Sequence, residues 1–232
     1  MNNKKVGVIG GLGPMATAKF LEIVINNTDA KCDQDNVDMI VCQYSSIPDR
    51  TAYILGKSLE NPAKKMIEAA KFLESSGVSF IVMPCNTATY FYEEIKSNIN
   101  IEFINIVNET VEYCVNKKYK KVGLIATDGT IKSGVYKKNV NGLFELFLPC
   151  DEVQKNVMSI IYDDIKKNKI PDKEKFMSII NYFKTNGCDA IIAGCTEISV
   201  ALNQLEIVDE FIVDSLGVLA KKTIMKAGKK LK

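Results

Sequence analysis

The chain has 232 residues, 47% of them hydrophobic and 25% charged, with a formal net charge of +2 and no histidine or tryptophan. That is enough apolar material for one large core or two modest ones, and too little net charge to argue for a nucleic-acid partner. Without histidine there is no Cys-His or Ser-His-Asp nucleophile pair and no imidazole zinc site, and no G-x-x-x-x-G-K-[ST] phosphate loop is present, so no metal is expected. No apolar run approaches the roughly 18 residues of a membrane span. The stretch after Lys4 and Lys5 is broken by Gly10, Gly11, Gly13 and Pro14, and reads as a buried strand and turn rather than a leader. Seven cysteines, an odd count with no Cys-x-x-Cys pair, fit reduced thiols in the cytoplasm.

The first strand, Lys4-Lys5-Val6-Gly7-Val8-Ile9, leads through Gly11-Leu12-Gly13-Pro14-Met15-Ala16 into a helical pattern of Phe20, Leu21, Val24 and Ile25. The turn fits the dinucleotide pattern G-x-G-x-x-A, yet the acidic residue expected about 20 positions on is missing from the end of the second strand. A turn that offers backbone N–H groups to a carboxylate, with Pro14 at a first helical position, accounts for the same residues. A strand over Met39 to Tyr44 runs into Ser45-Ser46-Ile47-Pro48-Asp49-Arg50-Thr51. There Arg50, in a lysine-dominated chain, suits bidentate binding of a substrate carboxylate, or else is a surface arginine paired with Asp49. A helix from Pro62 to Ser76 and strands over Phe80 to Met83 and Phe103 to Val107 follow.

Lys120-Lys121-Val122-Gly123-Leu124-Ile125 then repeats the first strand 116 positions on, with Gly129 at the offset of Gly13. A helical pattern of Ile131, Val135, Tyr136 and Val140 stops at Gly142. Next come a strand over Leu146 to Leu148, helices over Val153 to Lys167 and Lys173 to Asn186, and strands over Ala190 to Ala193 and Phe211 to Val213. Lys166, beside Lys167 and Lys169, reads by itself as a solvated helix end. A last helix, Ser215 to Lys226, carries Leu216, Leu219, Ala220 and Ile224 on one stripe, and its lysines form a solvated face. Strands alternating with helices imply parallel sheets covered on both faces, and the repeats imply duplication. The expected fold is α/β, with two pseudo-symmetric, flavodoxin-like lobes at 1–107 and 108–207, the segment 208–232 packing back onto the first, and the site at their interface.

Two segments 110 positions apart share one layout: Gly77-Val-Ser-Phe-Ile-Val-Met-Pro-Cys85-Asn86-Thr87 and Gly187-Cys-Asp-Ala-Ile-Ile-Ala-Gly-Cys195-Thr196-Glu197. Each delivers a cysteine to the carboxyl end of a strand, where ligands collect in open parallel sheets. Helix N-termini there are expected to lower the thiol pKa from about 8.5. A single cysteine beside a buried strand is usually a small core residue, and Cys32, Cys42, Cys114, Cys150 and Cys188 are read that way. Two at duplicated positions fit an enzyme that removes a proton from one face of a substrate and returns one to the other.

In Gly10-Gly-Leu-Gly-Pro-Met-Ala16, Ser46-Ile-Pro-Asp-Arg-Thr51, Pro84-Cys-Asn-Thr-Ala88, Gly123-Leu-Ile-Ala-Thr127-Asp-Gly-Thr130, Ile161-Tyr-Asp-Asp-Ile-Lys166 and Gly194-Cys-Thr-Glu-Ile198, the chain resembles the aspartate/glutamate racemase superfamily, and within it the aspartate racemase branch. The resemblance implies a cofactor-independent racemase with Cys85 and Cys195 as the catalytic acid/bases, and a homodimer. Met15, Arg50, Asn86, Thr87, Thr127, Lys166, Thr196 and Glu197 match substrate-binding positions. Glutamate racemases carry histidine where this chain has Glu197, which favours aspartate. Rival readings are a broad-specificity, hydantoin or related activity on the same scaffold, a small-molecule binding module without turnover, and a pyridoxal-phosphate enzyme, for which no lysine stands at a strand end in suitable surroundings.

Overall fold

A computed structural model describes residues 4–232. Its strands are β1 (Val6–Gly10), β2 (Met39–Gln43), β3 (Phe80–Val82), β4 (Glu102–Ile104), β5 (Lys121–Ile125), β6 (Glu145–Phe147), β7 (Ala190–Ala193) and β8 (Ile212–Asp214). Its helices are α1 (Pro14–Asn27), α2 (Arg50–Ile54), α3 (Ala63–Ser75), α4 (Tyr92–Lys96), α5 (Ile106–Asn116), α6 (Asp128–Ser133), α7 (Val135–Val140), α8 (Asp151–Ser159), α9 (Lys173–Thr185), α10 (Thr196–Gln204) and α11 (Ser215–Lys226).

The strands form two four-stranded sheets of the same order, β2-β1-β3-β4 and β6-β5-β7-β8, parallel throughout. Both faces of each central strand are buried, which is why these strands read as continuous apolar runs. Val6, Val8, Phe80 and Val82 share a cluster with Val122, Leu124, Ala190 and Ile192 of the other sheet, together with Phe20 of α1, Val107 of α5 and Leu216 of α11. A helical layer therefore binds the sheets together. Ile9 and Ile81 face outward with Met66, Ala69 and Leu73 of α3. Ile125 and Ile191 face the opposite way with Val157 of α8 and Ile180 and Phe183 of α9.

The segment 208–232 divides its contacts. Ile212–Asp214 pairs with β7, because an apolar strand beside an open sheet edge satisfies its backbone there. Helix α11 then packs on α1 and α5, and the tail bonds to the first lobe through Lys4 N–Ala227 O and Asp29 N–Lys230 O.

Three local expectations shift. Phe103–Val107 does not continue as strand: the Asn105 side chain accepts from the N–H groups of Val107 and Asn108 and starts α5, a cap that overrides a short apolar run. The pattern from Ile131 to Val140 splits into α6 and α7 at Gly134, which has φ 67°. The helix read over Val153 to Lys167 begins at Asp151, but after Ser159 it widens into a π turn, Ile160–Asp164, then tightens into a 3₁₀ turn, Ile165–Lys167.

Candidate active site

Cys85 follows β3 and Cys195 follows β7, the third strands of the two repeats in chain order. Both thiols line one cavity with Arg50, Asn86, Thr87, Thr127, Lys166, Thr196 and Glu197. The carboxyl ends of the central strands of both sheets therefore meet at the lobe interface, as the ligand-binding crevice of open α/β sheets requires. Leu12, Asp49, Thr51 and Tyr162 complete the lining. The space enclosed is about 10 Å³, room for one water. Asp49, Arg50, Lys166 and Glu197 also line a second cleft of about 410 Å³, where Met15 lies exposed, outside the inner cavity.

Arg50, the chain's single arginine, is 7% exposed. It is not the surface partner of Asp49: its Nη atoms donate to the carbonyls of Ile47, Pro48 and Leu12, the last at 2.7 Å. Its Nε is buried with no partner. A cation in the cavity wall, anchored by carbonyls and with one donor left unpaired, is prepared for an anion.

Asp49 turns to the other lobe. Its Oδ2 accepts from Lys166 Nζ at 3.2 Å, and its two oxygens accept from the Tyr162 hydroxyl, also at 3.2 Å. Lys166 Nζ sits 4.3 Å over the Tyr162 ring and 4.0 Å from Glu197 Oε1. Its side chain is only 26% exposed, so it is not the solvated end that its neighbours imply. Burial works against the Lys166 ammonium, but Glu197, Tyr162 and Asp49 outweigh it and raise its pKa. Burial pushes Tyr162 up to about 12. For Asp49, burial is outweighed by Lys166 and the Ala52 N–H, which lower its pKa.

The two thiols differ. Cys195 caps α10 and donates to Glu197 Oε2 at 2.9 Å. Burial, then the Glu197 charge and its hydrogen bond, raise its pKa well above the usual value. Cys85 precedes only a 3₁₀ turn, Thr87–Phe91. Burial raises its pKa too, Arg50 pulls it back in part, and Glu197 adds to the rise. The lowering expected from helix N-termini is therefore reversed, because desolvation of a thiolate exceeds the partial charge of a helix end.

Glu197 reaches the first lobe: a Cβ on Gly13 would stand 2.7 Å from its Oε1, and Gly13 has φ 137°. The glycine turn is thus needed for close approach of a carboxylate. On another side, the hydroxyls of Thr51 and Thr87 from one lobe and Thr127 and Thr130 from the other join at 2.8 to 3.3 Å. Thr196 Oγ1 donates to Glu197 Oε2 at 3.4 Å. Among the described residues, no group of three or more His, Cys, Asp or Glu side chains could hold a metal ion, and no helix is long and apolar enough to cross a membrane.

Sequence reasoning did not assign Leu12, Asp49, Thr51, Thr130 or Tyr162 to the site. All five lie inside the motifs quoted above, and Tyr162 stands four residues before Lys166, a spacing that brings side chains together on a helix.

Both halves have counterparts among known structures. A Picrophilus torridus aspartate racemase is 33% identical, with 99% of this chain and 96% of that one covered and a TM-score of 0.87. An aspartate racemase homologue from Pyrococcus horikoshii is 26% identical over 97% and 99% of the two chains, with a TM-score of 0.77. The fold is that of the two-lobed α/β racemases. The Bacillus subtilis broad specificity amino-acid racemase RacX is 28% identical over 223 residues, 94% of this chain and 96% of that protein. Residues 9–223 match the Asp/Glu/Hydantoin racemase model, and the chain belongs to that family. Its activity class is that of a racemase, an isomerase.

Proposed function

We propose that the protein interconverts L- and D-aspartate without a cofactor, in the cytoplasm and as a homodimer, with Cys85 and Cys195 as the two acid/bases. The observation that carries this reading is that both thiols line one cavity from equivalent strand ends, together with Arg50, whose buried Nε has no partner. One cysteine, as thiolate, takes the α-proton; the other, as thiol, delivers a proton to the opposite face of the carbanion. In the resting protein Cys195 donates its proton to Glu197, and Cys85 has the Arg50 charge near it to favour its thiolate. Both pKa values lie high, so the cationic α-ammonium of the substrate assists ionisation on arrival. Arg50 and Lys166 hold the carboxylates. The Asn86 amide and the threonine hydroxyls of Thr87 and Thr127 take up charge that moves onto the α-carboxylate as the carbon is deprotonated. Met15 lines the adjoining cleft, and Thr196 stands beside Glu197.

A broad-specificity racemase is the second reading, favoured by the full-length likeness to RacX. Incubating a panel of L-amino acids in D2O and following chirality and α-deuterium together separates the two. Racemisation and exchange confined to aspartate are expected; equal rates on several amino acids would replace aspartate racemase by the broader activity, and ligand binding without exchange would leave only a binding module.

A further inference from the structure

Asn86 is 1% exposed and lines the cavity, and its carboxamide is held by groups outside that cavity. The Tyr136 hydroxyl, from α7, meets its Oδ1 at 2.7 Å. Its Nδ2 lies 2.9 Å from Ser215 Oγ, at the first residue of α11. Ser215 Oγ in turn lies 2.6 Å from the carbonyl of Ala193, the last residue of β7. Tyr136 and Ser215 are also fully buried, and nothing assigned so far accounts for them.

Proton counting fixes every direction in this chain. A carbonyl only accepts, so the single hydroxyl proton of Ser215 goes to Ala193. The Ser215 oxygen can then only accept from Asn86, which places the amide nitrogen, not the oxygen, on that side. The amide oxygen therefore faces Tyr136, and Tyr136 must donate. One Nδ2 hydrogen remains with no partner among the described residues.

We propose that Tyr136 and Ser215 are positioning residues that lock Asn86 as a hydrogen-bond donor to the substrate carboxylate. The α-carboxylate gathers negative charge when the α-proton leaves, so a donor fixed beforehand favours the transition state over the ground state. Without Ser215 the amide is free to rotate by 180°, giving its nitrogen to Tyr136 and turning its oxygen towards the site, where it repels a carboxylate. The proposal rests on a carboxylate substrate in this cavity but not on which amino acid it is.

The test compares Tyr136→Phe, Ser215→Ala and Asn86→Ala, singly and as double variants, on whichever amino acid the wild-type protein racemises fastest, with residual rates read as α-deuterium incorporation over long incubations. Loss of a transition-state donor costs about 10²- to 10³-fold in kcat. Asn86→Ala is expected in that range and each positioning variant at about tenfold, with KM within about twofold. In the Asn86→Ala background the further losses vanish, because residues that act through Asn86 have nothing left to position. The Asn86 side-chain amide signal in ¹⁵N NMR, assigned by its disappearance in Asn86→Ala, shifts in both single variants. If Ser215→Ala does not fold, the isosteric Tyr136→Phe completes the cycle alone. An unmoved amide signal, an unchanged kcat, or losses of equal size in the two backgrounds would overturn the proposal. Turnover of glutamate instead of aspartate would overturn the substrate reading and leave this comparison intact.

Discussion

The carboxyl ends of β3 and β7 are the same place in two copies of one fold, and each presents a thiol to one cavity. Their surroundings are not copies. Cys195 caps a nine-residue helix and shares its proton with a carboxylate two residues on; Cys85 precedes a 3₁₀ turn and has a guanidinium near it. Duplication set the geometry, and divergence of a few neighbouring side chains set which charge stands next to each thiol: the Glu197 carboxylate beside Cys195, the Arg50 guanidinium beside Cys85. The proposed two-sided proton transfer uses both: matched position and unlike surroundings.

The largest expected effect comes from removing one side. Cys85→Ser and Cys195→Ser should each cut racemisation in both directions by about 10³-fold or more, since a serine hydroxyl ionises far too weakly to act as the base. Chiral chromatography of both enantiomers measures this, and full activity in either variant would sink the two-base scheme.

A smaller effect follows from making the surroundings more alike. A carboxylate next to a thiol penalises the thiolate and raises its pKa, and Glu197 does so for Cys195 and, more weakly, for Cys85. Glu197→Gln removes that penalty, so the thiol pair loses its first proton at lower pH. The rising acid limb of kcat/KM against pH should move to lower pH, with the rate at neutral pH changed by about tenfold. Racemisation has an equilibrium constant of one, so the shift must appear equally in both directions; an unmoved limb would remove Glu197 from the control of the thiols.

Smallest is the effect of loosening the contact that joins the two surroundings. Asp49 holds the Lys166 ammonium, which in the proposed reaction binds a substrate carboxylate. Asp49→Asn should lower KM by about two- to fivefold, the scale of a partly exposed ion pair, with little change in kcat. Initial rates over a range of substrate concentrations decide it, and an equal or higher KM would show that Asp49 supports substrate binding instead of competing with it.

The strands, their duplication and the two cysteines are legible in the sequence because buried parallel strands are continuous apolar runs, and a repeat of such a run with its glycine is hard to miss. Asp49 reads in the sequence only as a partner for Arg50, since neighbours in sequence suggest each other, whereas it caps α2 through the Ala52 N–H and its side-chain partners lie 113 and 117 positions away. Lys166 looked like a helix end among lysines, because a count of 3.6 residues per turn carries no sign of the π turn before it. The threonine cluster was half read: Thr87 and Thr127 belong to the motifs' polar tips, while Thr51 and Thr130 join them only when α2 and α6 meet, at a contact where a Cβ on Gly129 would come within 2.8 Å of Thr51. The thiol pKa values were read with the wrong sign, because burial is a property of the assembled interface and not of either strand.

An α-helix is a phase: each residue advances the direction of its side chain by about 100°. Ile160–Asp164 holds one residue more than an α turn would, so everything after it is out of phase with everything before. Lys166, in the 3₁₀ turn that follows, meets Asp49 and Glu197 at the lobe interface. Deleting one residue of the turn re-aims the side chains that follow by about 100°, and is expected to part Lys166 from Asp49 and Glu197 and leave both carboxylates without their shared cation. The electrostatic balance of the interface is therefore written in the length of one turn as much as in the identity of any side chain.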